Sequence, residues 1–462
     1  MSYRTNRRKK GSVKIVSGLL LLVFFIVGGY IYTDSGFERE APEIHASKDM
    51  FWNRKDPLEI KVSDNVGLKN FELILSDGMQ SQTVGQGRLE SGIKEHTLLI
   101  KYPTGKTLDP KAVNLKLDIS IDDSSMWNFF QGNQANKSIS IKIDHKRPNV
   151  NILSHSYSIV QGGSALVVFQ ADDENLDRLY IETAKKKFKV LVYKKRGYYA
   201  SLIAWPFNEL EFDAKIVATD MAGNRRVVDI PFYIKNHKYK VSWIQARDKF
   251  IDGKITDLIS SDPEYVDISD GVDKLVAINE TMRLKDENKI HKLSSKISNE
   301  ILDKWKINKF YPLRNAAKVA SFGDERHYYY KTKNNEISQS YHVGYDLAST
   351  KMANIKTSNA GTVVYAGDNG IYGNMPMIDH GFGLYSLYGH CSQILVKEGE
   401  EVNEGQIIAK TGMSGLALGD HLHFGILVQG IEVRPVEWFD GSWIRKNINN
   451  IFKEADKIIL GK

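Results

Sequence analysis

Five of the chain's twelve histidines fall between residues 342 and 423, and four of them stand beside residues whose spacing suits metal chemistry. His342 and Asp346 are four apart, so on a strand or on one turn of helix they share a face and can reach one ion. His421 and His423 are two apart, so on a strand both imidazoles emerge on the same side, while Leu422, Phe424 and Ile426 point together into a core. His390 lies between the two pairs. A catalytic zinc site takes three protein ligands and leaves a fourth position to water. His342, Asp346 and one histidine of the 421/423 pair would fill such a site, which leaves two histidines free to move protons. A closed structural site more often uses cysteines, and this chain has only Cys391, which on a strand faces away from His390 and reads as buried filler. His380, in an Asp-His-Gly-Phe-Gly turn, reads as a satisfied histidine outside the site.

The segments His342-Val-Gly-Tyr-Asp346, Tyr388-Gly-His390, Gly412-Met-Ser-Gly415 and His421-Leu-His423-Phe424, in this order, resemble those of the lysostaphin/LytM-type zinc metallopeptidases. The resemblance runs from about residue 310 to residue 440. It implies one zinc ion per catalytic domain, held by His342, Asp346 and His423, with His390 and His421 assisting the chemistry. It further implies an endopeptidase that hydrolyses peptide cross-links of peptidoglycan by zinc-activated water. The anchored layout is similar to that of the cell-shape and cell-separation endopeptidases of Gram-negative bacteria, which cut D-alanyl to diaminopimelate bonds. Degenerate relatives that serve as scaffolds or activators of other wall hydrolases have lost ligands, whereas all five residues are present here. A latent enzyme covered by its own upstream region is the other alternative.

The elements that must position these residues can be read in chain order. Residues 1–14 carry Arg4, Arg7, Arg8, Lys9, Lys10 and Lys14 with no acid, and Ile15 to Tyr32 then has no charge. Eighteen apolar residues behind a basic flank predict a transmembrane anchor over 15–33 with a cytoplasmic N-terminus. That topology puts the remainder of the chain in the periplasm, with peptidoglycan and the cell-wall machinery as its partners. A cleaved signal peptide is the competing reading. Residues 40–146 and 147–238 alternate apolar and polar residues, as in Leu58-Glu-Ile-Lys-Val-Ser63, and predict two immunoglobulin-like β-sandwich modules joined at Arg147-Pro148. Acids at their strand ends, such as Asp64 and Asp220, read as local turn caps in preference to calcium ligands. Residues 239–306 switch to a helical period from Trp243 onward, with Val272, Leu275, Ile278 and Met282, then Ile290, Leu293, Ile297 and Ile301. The peptidase domain, an antiparallel sheet, is expected over 307–440, and an amphipathic helix over 441–462 that docks on the protein through Ile448, Ile451, Phe452 and Ala455. The whole is thus a multidomain, mainly β chain. Its 63 basic and 56 acidic residues leave a net charge of +7, and with no basic stripe interleaved with aromatics this argues against nucleic acid.

Overall fold

The computed structural model describes residues 10–105 and 107–461, so residues 1–9 of the expected basic tail lie outside the described residues. The chain divides into two compact units, Met1–Arg147 with Thr219–Asn224, and Pro148–Ala218 with Arg225–Lys462.

The first unit opens with the helix Lys10–Thr33. Its stretch Ile15–Thr33 is long and apolar enough to cross a membrane, the one such stretch among the described residues. Leu19 to Val27 are exposed all round it, so it has no polar side to turn to water. In the β part, Leu58–Ser63 buries every second residue, and Asn114–Asp123 does the same through Leu115, Leu117, Ile119 and Ile121. Period-two burial follows from side chains that alternate across a strand. A three-stranded sheet, Glu43–His45, Leu58–Ser63 and Glu95–Ile100, and a five-stranded sheet that includes Asn114–Asp123 share one core, giving a two-layer sandwich.

The second unit is organised around an eight-stranded sheet. Its main path runs Ala317–Ala320, Tyr345–Ala348, Leu422–Val428, Leu384–Gly389, Asn374–Asp379, Gly361–Asp368 and Glu401–Val402, and Ile431–Val433 also pairs with Leu422–Val428. The central strand Leu422–Val428 is buried along its whole length, so both faces of the sheet are covered. On one face Leu422, Phe424, Ile426 and Val428 join a core with Val167, Phe169 and Leu202 of the upstream strands and with Ile448, Ile451, Phe452 and Ala455 of the helical C-terminus. On the other, Met375, Met377, Tyr385, Leu387 and Leu427 pack against Leu275, Ile278, Met282 and Ile290 of the helical connector. Upstream, two four-stranded sheets are present, one containing Ser164–Asp172 and Tyr198–Ala204, the other Leu176–Glu182 and Lys215–Asp220.

Buried polar groups lock these layers together. Gln429 accepts the Lys189 amide proton at 2.8 Å and donates to the carbonyls of Lys189 and Leu202 at 3.0 and 2.9 Å. Glu437 accepts from the Ser164 amide at 3.0 Å.

The connector departs from its predicted form at both ends. Val241–Gln245, which contains Trp243, is a strand paired in parallel with Asp324–Tyr329. Its run Val-Ser-Trp-Ile-Gln alternates in the manner of a half-covered strand, and helix begins only at Asp248. The last connector helix stops at Ser294, where the hydroxyls of Ser294 and Ser295 donate back to the carbonyls of Ile290 and His291. Ile297 and Ile301 therefore lie past the helix that their spacing predicted.

Candidate metal centre

Sheet register sets the first two side chains. Asp346 on Tyr345–Ala348 stands directly opposite His423 on Leu422–Val428. His342 arrives from elsewhere, as the last residue of Glu336–His342 in a separate three-stranded sheet with Asp324–Tyr329 and Val241–Gln245. The four-residue spacing is thus neither one strand nor one helical turn. His342 and Asp346 meet because the chain crosses between two sheets through Val343 and Gly344. A Cβ on Gly344 would stand 2.3 Å from Nε2 of His423, so the crossing lies against the imidazole in a way that only glycine permits.

The three donors converge closely. Oδ1 of Asp346 lies 3.0 Å from both Nε2 of His342 and Nδ1 of His423, and those nitrogens are 3.1 Å apart. Nδ1 of His342 contacts the Ser321 carbonyl at 2.8 Å. A proton held there leaves the neutral ring's lone pair on Nε2, aimed at a carboxylate oxygen that is itself an acceptor. Nε2 of His423 is buried without a hydrogen-bond partner, and with its proton on that atom the Nδ1 lone pair joins the other two. Converging lone pairs repel unless a cation sits among them. The separations are close to those of donors about 2.0–2.1 Å from a single ion, and two imidazoles with one carboxylate form a donor set used by open, catalytic zinc sites. These residues therefore fit a metal.

The electrostatics agree. Burial alone would raise the Asp346 pKa, but His342 and His423 hold the carboxyl well below its usual range. Burial brings His423 down to about 4. It also lowers His390 far below the ordinary imidazole value, with the neighbouring His423 and His421 adding to the effect. Neutral imidazoles and an ionised carboxylate are the forms that bind metal.

The other two sequence-selected histidines flank the trio. His390 follows the strand Leu384–Gly389 with φ of +63°, in the left-handed region uncommon for a side-chain-bearing residue. Its amide donates to the Tyr372 carbonyl at 2.8 Å, and its Nδ1 contacts the Ser414 carbonyl at 2.8 Å. His421 precedes the strand Leu422–Val428, its Nδ1 is 2.7 Å from the Gly419 carbonyl, and its Nε2 is 3.7 Å from Oδ2 of Asp346. The two rings are 4.9 Å apart. Each has one nitrogen tied to a carbonyl, which leaves Nε2 as the free one. All five residues line a cleft of about 1140 Å³.

His380 lies apart from the group. Its nitrogens contact the Ala360 carbonyl at 2.8 Å and the Ser386 hydroxyl at 2.7 Å, and burial lowers its pKa to about 4. Cys391 is buried, and burial raises its thiol to about 12. Residue types and spacing did not disclose the groups that orient the rings, because the carbonyls of Ser321, Ser414 and Gly419 can be offered by any residue. Tyr372, whose ring packs 5.3 Å from that of His423, was missed for the same lack of a signal, and Gly344 was visible only as a letter inside the motif.

Residues 340–435 match peptidase family M23. Over 126 residues the chain is 35% identical to the peptidoglycan DD-endopeptidase ShyA of Vibrio cholerae, covering 27% of this chain and 28% of that protein. Over 95 residues it is 36% identical to the DD-carboxypeptidase/endopeptidase Mpg of Neisseria meningitidis, covering 21% and 22%. The chain spans less than a third of the length of either relative. Among solved structures, a peptidase M23 from Pseudomonas aeruginosa aligns over 61% of this chain and 95% of its own, with 18% identity and a TM-score of 0.38. The C-terminal region of this chain carries a LytM-type domain of peptidase family M23.

Proposed function

We propose that this protein is a membrane-anchored zinc endopeptidase that hydrolyses the peptide cross-links of peptidoglycan, with the D-alanyl to diaminopimelate bond as its target. The observation that carries the reading is the buried trio His342, Asp346 and His423, its ligand atoms 3.0–3.1 Å apart and one imidazole nitrogen orphaned behind it. Those three residues would hold the ion. When bound, zinc supplies Lewis acidity that makes water a nucleophile near neutral pH. His390 and His421 do the proton work: with Nδ1 tied to a carbonyl, each offers Nε2 as an acceptor. One takes a proton from the attacking water, and that protonated ring then steadies the developing oxyanion and returns the proton to the leaving amine.

The match to family M23 and the endopeptidase names of ShyA and Mpg support the substrate class. The helix Ile15–Thr33 supports an anchor in the inner membrane, with the N-terminus cytoplasmic and the cleft in the periplasm. The test is digestion of cross-linked diaminopimelate-type peptidoglycan by the zinc-loaded full chain in detergent, with fragments resolved by mass. Dimeric muropeptides should become monomers cut at the assigned bond. No conversion by a zinc-bearing chain would make it a scaffold or an activator of another wall hydrolase.

A further inference from the structure

One wall of the cleft comes from outside the matched family region. Residues 240–254 supply it, on the strand Val241–Gln245 and the helical turn that follows. The backing is firm. The strand pairs with Asp324–Tyr329, the Ala246 amide donates to the Tyr329 carbonyl at 2.8 Å, and the Tyr330 hydroxyl donates to Asp248 at 2.8 Å.

The cleft lining is rich in cations, and most of them are engaged. Lys240 and Arg326 face Asp324 at 4.0 and 3.5 Å, Arg283 pairs with Glu287 at 3.7 Å, and Lys254 donates to the Met413 carbonyl at 2.7 Å. The side chains of Arg247 and Lys249 also line the cleft, are exposed, and have neither a hydrogen bond nor an ion pair to any described residue. The lining carboxylates do not answer them: Asp324 is taken by its two cations and the Ser242 hydroxyl, Asp346 by the histidines, and Asp420 by the Thr411 hydroxyl and the Met352 amide. Two positive charges without a carboxylate partner thus line the space that a substrate must enter.

We infer that Arg247 and Lys249 form a subsite for a carboxylate of the substrate peptide, so that the connector wall selects cross-links with free carboxyl groups over amidated ones. The inference rests on the peptidoglycan reading above, since the stem peptides of that polymer carry such groups. A guanidinium fork suits a carboxylate geometrically, an ammonium on the same wall adds to the positive charge, and a walled cleft focuses their field on an incoming anion.

The experiment uses the full chain in detergent and two synthetic cross-linked peptides, one with free carboxylates and one with those groups amidated. The proteins are wild type, the double variant Arg247→Gln/Lys249→Gln, and Lys397→Gln as a control cation outside the cleft lining. Wild type and the control should prefer the free peptide about tenfold in KM, the size of one charge-assisted hydrogen bond, and lose the preference at high salt. The double variant should lose the preference through KM with kcat kept, and should treat the amidated peptide as wild type does. A preference that survives in the double variant, or an equal loss for both peptides, overturns the subsite and leaves the endopeptidase reading standing. If wild type cuts neither peptide, the endopeptidase reading fails. Calorimetric titration of the same peptides then decides the subsite alone: tighter binding of the free peptide that the double variant loses upholds it, and equal binding overturns it.

Discussion

A methyl group at position 344 would lie 2.3 Å from Nε2 of His423, so Gly344→Ala must move either that ring or the backbone leading to Asp346. The expected result is a loss of metal affinity of about 10–100-fold, the range seen when the surroundings of a ligand are disturbed, checked by competition with a zinc chelator. Residue types at the centre were legible because metal chemistry admits few of them: His342, Asp346, His390, His421 and His423 could be picked out before any fold was known. What held them was not legible. His342, His390 and His421 are each oriented by a main-chain carbonyl, from Ser321, Ser414 and Gly419, and every residue has one. His380 shows the converse, a histidine inside the motif window whose two nitrogens are satisfied away from the centre.

At the scale of elements, alternation found strands such as Leu58–Ser63 and Asn114–Asp123 because one face of each is buried and the other is not. The same logic blurred at Val241–Gln245, whose five residues are too few to outweigh the helical period that follows. The connector helix reaches the chemistry through Asp286, which accepts the Ile371 amide proton at 2.8 Å. It thereby holds the loop whose Tyr372 carbonyl takes the His390 amide. Asp286→Ala leaves a buried donor without a partner, which costs about 1–3 kcal/mol. Zinc should be retained and turnover should fall, measured by metal content beside muropeptide kinetics. Gln429→Ala should lower the unfolding free energy by about 1–3 kcal/mol in denaturant titration, since it strands the amide of Lys189 and leaves the carbonyls of Lys189 and Leu202 to the Ser201 hydroxyl. No sequence pattern marks such a residue, because its partners lie more than two hundred positions away.

For the whole molecule, the sequence disclosed the order of elements better than their joining. The strands from 149 onward share a core with the peptidase sheet and the C-terminal helix, where reading by segments gave separate modules. Glu437 sits inside that joined body, and burial lifts its pKa from 4.5 to about 7, with Arg434 opposing. A carboxyl raised on folding contributes most below pH 4.5, and its contribution is lost as pH rises through about 7. Glu437→Gln should therefore flatten the fall of Tm over that window. Part of the slope should persist, because Asp286 and Glu287 are also lifted by burial, to about 6 and about 7. Removal of residues 10–33 should shift the chain from the membrane to the soluble fraction, with cleavage by the cleft unchanged.

In the proposed reaction one set of residues holds a metal and another moves protons. The most direct test measures zinc content and muropeptide turnover together in the full-length His423→Ala and His390→Ala variants. His423→Ala should lose both zinc and turnover, whereas His390→Ala should keep one zinc per chain and lose turnover by about 10²–10⁴-fold. Equal loss of zinc in the two variants, or full turnover in His390→Ala, would contradict it.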